Sequence, residues 1–151
     1  MAMADDGHSE PRILIDDRQG DVRVDHDALA ELARTVLVGE GVARSELSLS
    51  FVTEYEITDL HVRYMEEDGP TDVLSFPLEE DDVDEEGVRL VGDVVICPAV
   101  AARNKPDDPA GELRLLVVHG ILHLLGHDHQ QKTKRGEMWA KQERYAGVRV
   151  P

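Results

Sequence analysis

The sequence predicts an α+β fold, a single domain in which helices pack on a mixed sheet of about four strands. Apolar residues recur at helical spacing between Leu29 and Leu37. Leucine and phenylalanine alternate with serine between Leu47 and Phe51, as in a half-buried strand. The segment that follows Leu113 is apolar on most of its faces, which predicts a central buried helix.

The N-terminal part of the chain predicts a flexible start followed by a strand and a helix. Residues 1–10 are mostly polar and acidic and are expected to be disordered, so the domain is placed at residues 11–151. A short strand is predicted at Arg12–Ile15. Asp25 or Asp27 is suited to cap the helix that follows.

The middle of the chain alternates between strands, a helix and an acidic run. After the strand Leu47–Phe51, Thr58 or the acidic residues near it are expected to open a short helix that continues to about Met65. A further strand is predicted at Asp72–Phe76. The run Glu79–Glu86 carries charge of one sign and is expected to be a mobile loop.

The last third contains the sheet's most apolar strand and three helices. The strand Val88–Ile96 is almost continuously apolar in its second half, which predicts a central place in the sheet. Pro98 begins a short helix, and the long apolar helix starts after Pro109. A final amphipathic helix is predicted from Lys132 to about Tyr145.

Charge is distributed unevenly along the chain. The net charge is −16, yet residues 1–100 hold 7 Lys and Arg against 26 Asp and Glu, whereas residues 101–151 hold 9 against 6. The basic side chains around the apolar helix are equally compatible with a solvated helix face and with guidance of a phosphate backbone. Composition alone therefore does not exclude a nucleic-acid partner.

Composition also predicts a cytoplasmic protein. No stretch approaches the 18 or more apolar residues of a membrane helix. The first residues lack the basic start and apolar run of a signal peptide. The single cysteine, Cys97, cannot form an internal disulfide and is interpreted as a small buried hydrophobic residue.

Three histidines within the apolar helix and just after it predict a metal site. His119 and His123 are four residues apart, which places both imidazoles on one face of a helix. Gly126 suits a left-handed turn that would end the helix and bring His129 back beside the pair. Three imidazole ligands with a fourth position left to water are typical of catalytic zinc, so one Zn²⁺ per chain is expected.

Two neighbouring residues are candidates for other roles at the site. His127 would be the rival third ligand if the helix continued through Gly126. Asp128 is interpreted as a carboxylate that orients a ligand imidazole. The sequence does not identify the general base, so His127, Asp128 and a bound water all remain candidates for it.

The histidine spacing equals that of metzincin proteases, with one difference. The glutamate that serves those enzymes as general base is replaced by Gly120. The usual mechanism of peptide hydrolysis would therefore lack its proton acceptor.

The segment His119–His129 resembles the H-G-x-L-H-L-x-G-x-D-H signature of the YbeY family of bacterial single-strand endoribonucleases. Pro70–Pro77 is similar to the P-T-D-V-L-S-F-P segment of that family, and Gly92–Ile96 is a weaker third match. The resemblance implies an α+β domain in which the Thr71–Pro77 strand borders the metal cleft. It also implies cleavage of single-stranded RNA in ribosomal RNA maturation and ribosome quality control.

One position departs from the family pattern. Many members carry an arginine, thought to help act on RNA, where this chain has Met65. Its role cannot be transferred to a methionine, and Arg63 could replace it only if the local geometry allows.

The sequence therefore predicts a zinc-dependent endoribonuclease whose partners are ribosomal RNA and the small ribosomal subunit, with no role for DNA or a membrane. One alternative is a metalloprotease-like hydrolase that uses the same three histidines. Another is a non-enzymatic ribosome-binding protein whose zinc is structural, which would need a fourth protein ligand.

Overall fold

The computed structural model describes residues 10–65, 71–78, 83–126 and 140–147. The strands and helices in chain order are β1 Arg12–Asp17, α1 His26–Gly39, β2 Ser45–Phe51, α2 Glu54–Met65, β3 Val73–Pro77, β4 Arg89–Ile96, α3 Pro98–Asn104 and α4 Pro109–Leu124. Residues 140–146 are also helical. The predicted α+β fold with a mixed four-stranded sheet is confirmed.

The sheet has the strand order β1-β2-β4-β3. β1, β2 and β4 are parallel to one another, and β3 pairs antiparallel with the far side of β4. β4 therefore lies inside the sheet, as its apolar sequence predicts. β3 forms one edge.

Helices α1 and α4 cover one face of the sheet and form the main core with it. Leu47, Leu49 and Phe51 of β2 are fully buried in this core, together with Val94 of β4. Because alternate residues of a strand point to opposite faces, Ser48 and Ser50 must face the other side. The alternation of leucine and serine seen in the sequence thus places α1 and α4 on the leucine side.

The second face is only partly covered. Leu60 of α2 packs in a smaller cluster with Leu74 and Val95, and the rings of Tyr64 and Phe76 meet edge to face with centroids 5.6 Å apart. Over β1 and β2 this face borders a groove of about 460 Å³. Since it lies across the sheet from α4, the groove is separate from the predicted metal site.

Several predicted boundaries are corrected by the structure. α2 begins at Glu54, four residues before Thr58, because the hydroxyl of Thr53 accepts a hydrogen bond from the backbone N–H of Glu56 at 3.1 Å. β1 extends to Asp17, and β3 is shifted by one residue to Val73–Pro77. For α1, the structure selects Asp25 as the cap, since its carboxylate accepts from the N–H of Ala28.

The second half of the predicted acidic loop forms a hydrogen-bonded turn. Val83 pairs with Arg89 in an isolated antiparallel bridge. The carboxylate of Asp84 accepts hydrogen bonds from the N–H groups of Glu86 and Val88 at 2.9 and 3.0 Å. A short acidic side chain can organise a turn through its own backbone, which a count of charges does not reveal. Residues 79–82 and residues 1–9 lie outside the described part of the chain.

Gly120 allows α4 to approach the sheet closely. A Cβ at position 120 would lie 2.6 Å from Cγ1 of Val94 and 3.4 Å from Oγ of Ser75. The side chain of Val94 is fully buried. Position 120 therefore faces β4 and is constrained by packing.

We predict that Gly120→Ala lowers the free energy of unfolding by about 1 to 3 kcal/mol, because the added methyl overpacks this contact. In a Val94→Ala background the same change should be neutral or stabilising, since alanine favours helix over glycine and the clash is gone. Urea unfolding of the four proteins in this cycle measures the coupling. Equal effects of Gly120→Ala in both backgrounds would contradict the close contact.

The end of β1 is tied to the start of α1 by a carboxylate. Oδ2 of Asp17 is 2.7 Å from Nε2 of His26, whose ring stacks on Phe51 with centroids 6.2 Å apart. Partial burial acts to raise the pKa of Asp17. Hydrogen bonds from His26 and Gln19 outweigh it, so the pKa is held below the ordinary value of 3.8.

A carboxyl group with a lowered pKa in the folded state stabilises the protein above its unfolded pKa and loses that effect as the pH falls through the folded value. We expect Asp17→Asn to lower the free energy of unfolding by about 1 kcal/mol at pH 7. The difference should disappear in strong acid. Asp21→Asn, at an exposed position, is the control, and urea unfolding across the acidic range is the measurement. A deficit that persists in acid would contradict this account.

Candidate metal centre

The ends of α4 are determined by identifiable local interactions. Asp108 caps the N-terminus, where its carboxylate accepts from the N–H of Gly111 at 3.1 Å, and Pro109 follows as the first helical residue. The helix ends at Leu124. Gly126 then has a φ of 95°, in the left-handed region that favours glycine. The predicted helix end at Gly126 is confirmed.

His119 and His123 lie side by side on the face of α4 away from its buried residues. Their ring centroids are 5.2 Å apart and the ring planes are tilted by 50°. His119 is half-buried and His123 is exposed, whereas Gly120, Ile121 and Leu122 between them are buried. The apolar residues thus anchor the helix while the two imidazoles share one side.

The position of the histidines along α4 also favours a cation. His123 lies in the last turn of a 16-residue helix. The aligned peptide dipoles give the C-terminal end of a helix a partial negative charge, which stabilises a positive ion nearby. Both ligand chemistry and helix polarity are therefore suitable for a metal ion here.

A buried amide orients His119. Oε1 of Gln142 is 2.8 Å from Nδ1 of His119, and Gln142 is only 3% exposed. An amide oxygen only accepts, so Nδ1 donates and the lone pair of the neutral ring lies on Nε2. Metal-binding histidines commonly donate their second ring N–H in this way.

The remaining residues of the predicted site, His127, Asp128 and His129, lie outside the described residues. Within the described part of the chain, no three metal-ligating side chains of His, Cys, Asp or Glu come together. The structure thus brings together two of the three predicted ligands. Their shared face, the oriented Nε2 of His119 and the imidazole nitrogen donors fit a zinc ion.

β3 lies directly beside this part of α4. The hydroxyl of Ser75 donates a hydrogen bond of 3.3 Å to the backbone carbonyl of Gly120. The P-T-D-V-L-S-F-P segment and the histidine motif, which are 45 residues apart in sequence, are therefore in direct contact.

Arg63, the residue considered as a replacement for the missing family arginine, makes a local ion pair. It lies on α2, which packs on the sheet face opposite to α4, and Nε is 3.2 Å from the carboxylate of Asp59 on the same helix. The Met65 side chain is outside the described residues.

Several basic residues near α4 have structural partners. Both terminal nitrogens of Arg103 bind the carboxylate of Glu54 at 3.0 and 3.1 Å. Nε of Arg114 donates to the carbonyl of Ala146, and Lys141 pairs with Glu40 at 2.7 Å. These contacts favour a structural role for Arg103, Arg114 and Lys141 over guidance of a phosphate backbone. Lys132, Lys134 and Arg135 lie outside the described residues.

Comparison with known proteins identifies the family. The family model described as endoribonuclease YbeY matches residues 14–147. The chain belongs to the YbeY family. Among relatives named endoribonuclease YbeY, that of Frankia casuarinae is 46% identical and covers 86% of this chain and 70% of its own length. That of Thermobifida fusca is 47% identical, with coverages of 85% and 88%.

A solved structure supports the same assignment. The solution structure of a Thermotoga maritima protein superimposes with a TM-score of 0.63 at 33% identity, covering 89% of this chain and 86% of that protein. The YbeY resemblance drawn from three sequence segments is thus confirmed over most of the chain.

The sequence analysis missed Gln142. The signal was present, because Gln142 falls at helical spacing between Met138 and Ala146, and a polar residue within an apolar stripe needs a buried partner. The sequence instead favoured Asp128 for the orienting role.

No helix in the described ranges combines the length and apolar character that a membrane crossing requires.

Proposed function

We propose that this protein is a zinc-dependent endoribonuclease that cleaves single-stranded RNA during ribosomal RNA maturation and ribosome quality control. The observation that carries the proposal is the pair of imidazoles on one face of α4, one of them oriented by a buried amide. Membership in a family whose members are named endoribonucleases supports the reaction class.

In this proposal His119, His123 and His129 hold one zinc ion. When bound, zinc supplies a Lewis acid for a phosphodiester oxygen and lowers the pKa of a water molecule. The chain's own residues fix the ligands, since α4 is anchored by its buried face and Gln142 holds one ring. His127 and Asp128 remain the candidates for the group that moves a proton.

The partners follow from the same assignment. Single-stranded RNA is the proposed substrate, and the small ribosomal subunit is the proposed place of action in the cytoplasm. No role for DNA or a membrane is proposed. Arg103, Arg114 and Lys141 are engaged in contacts within the protein, so the RNA path would have to rely on other cations.

The protease alternative is disfavoured by the surroundings of Gly120. A glutamate at this position would point into the packed contact with Val94 and Ser75, because a Cβ there is already too close to Val94. The helix therefore has no place for the general base of a metzincin at this position.

A structural zinc site with a cysteine ligand is also disfavoured. Cys97 is fully buried in the smaller core cluster, together with Val52, Ile57 and Val100 and without any residue of α4. The single thiol of the chain thus belongs to another part of the molecule. An open zinc site is the arrangement that suits catalysis.

We expect His123→Ala to lose tight zinc binding while the protein stays folded, because one imidazole of three is removed from an exposed position. RNA cleavage by the variant, assayed with zinc added, should fall by at least a hundredfold, because the variant no longer holds the ion that activates the water molecule. His61→Ala, on α2 across the sheet, is the matched control. Elemental analysis, circular dichroism and gel assays of a single-stranded RNA are the measurements.

Substrate class is tested with the same preparations. Parent protein should cleave single-stranded RNA, leave duplex RNA and casein largely intact, and lose activity on chelation. Cleavage of casein with unchanged RNA would contradict the nuclease assignment. Full zinc occupancy in His123→Ala would contradict the metal site itself.

A further inference from the structure

Residues 140–147 are fixed to the rest of the protein from two sides. The carboxylate of Glu40, just after α1, accepts from Nζ of Lys141 at 2.7 Å and from the hydroxyl of Tyr145 at 2.9 Å. The Glu40 side chain is only 8% exposed, so these contacts are partly desolvated. Residues four apart on a helix lie on one side, so a single carboxylate holds that side.

A second pair, also four residues apart, faces α4. Gln142 and Ala146 are each 3% exposed. The carbonyl of Ala146 accepts from Nε of Arg114 at 3.1 Å, and Oε1 of Gln142 meets Nδ1 of His119 at 2.8 Å. The position of the segment that carries the amide is therefore determined by several contacts and does not depend on His119 alone.

The absence of a side chain at Gly39 leaves space for the ring of Tyr145 beside α1. A Cβ at Gly39 would lie 2.3 Å from the hydroxyl oxygen of Tyr145. A larger residue at position 39 would therefore press on the ring of Tyr145, whose hydroxyl binds Glu40.

We propose that Gln142 is a positioning residue for the metal centre, which it supports by holding His119 in the tautomer whose lone pair is on Nε2. The zinc-dependent part of this inference rests on the proposed function. The tautomer is a property of the apoprotein. Partners of this kind fix the ring orientation and raise the basicity of the ligand nitrogen, and their loss typically weakens metal binding by 10-fold to 100-fold.

The decisive variants are Gln142→Leu and Gln142→Glu. Leucine has nearly the same size and no acceptor, whereas a glutamate carboxylate still accepts from Nδ1. Ala140→Leu adds the same leucine at an exposed position of the same segment and serves as control. Thermal unfolding checks that each variant is folded.

Two readouts separate positioning from a general structural role. Long-range ¹H–¹⁵N NMR of the metal-free protein, at a pH where the rings are neutral, reports which nitrogen of His119 carries the proton. His119→Ala identifies the resonance. Competition with a chromophoric chelator measures zinc affinity.

We expect parent, Ala140→Leu and Gln142→Glu to show the Nδ1–H tautomer and to bind zinc with similar affinity. Gln142→Leu should lose the preference for that tautomer and bind zinc 10-fold to 100-fold more weakly. An unchanged tautomer in Gln142→Leu, or zinc affinity within twofold of the parent, would overturn the inference. If Gln142→Leu fails to fold, loss of the tautomer or of tight zinc binding in folded Gln142→Glu would overturn it.

The two proposals fail differently. If parent protein binds no zinc, the proposed metal function is wrong and the zinc part of this inference is overturned with it. The NMR result still decides whether Gln142 controls His119. If zinc binds and RNA is cleaved while the tautomer does not depend on residue 142, only the role of Gln142 is wrong.

Discussion

The close packing of α4 against the sheet is the contact on which the rest of the site depends. α4 can approach β4 because Gly120 has no side chain to separate it from Val94. Leu116, Val117, Ile121 and Leu122 are then buried at this surface. Burying a side chain of this kind contributes about 1.5 to 3 kcal/mol. Such an anchored helix cannot rotate freely, so His119 and His123 are presented in one direction.

The same contact distinguishes this helix from that of the metzincin proteases, whose histidine spacing it shares. A glutamate between the two histidines needs space on the sheet side of the helix, whereas position 120 is occupied by the packing against β4. The histidine spacing is common to the metzincins and to this protein, but the surroundings of position 120 distinguish the two. Any catalytic base must then come from elsewhere in the chain or from solvent.

Much of the fold could be predicted from sequence because its signals are periodic and strong. The alternation of β2 predicted a half-buried strand, and the continuous apolar character of α4 predicted a buried helix. The predicted start of α2 was too late. Thr53 acts as the cap because its hydroxyl accepts from the N–H of Glu56, and this hydrogen bond is visible only once the first turn is formed. The turn around Asp84 was missed because charge composition does not record hydrogen bonds to the backbone.

The candidate site was predictable where ligand chemistry follows from helical spacing, as for His119 and His123. The contribution of Gln142 was not predicted, because it is 23 residues from His119 and depends on how Glu40 fixes the C-terminal segment. Tertiary contacts of this kind leave only a weak trace in sequence. Membership in the YbeY family adds the reaction class, whereas the orientation of the ligand ring follows from the structure.

The central claim is that the buried face of α4 presents imidazole ligands to one zinc ion. X-ray absorption at the zinc edge of protein loaded with one equivalent of zinc tests it most directly. The account predicts three imidazole nitrogens at about 2.0 Å and one further oxygen. A shell that contains sulfur from Cys97, or oxygen atoms with no imidazole, would contradict it.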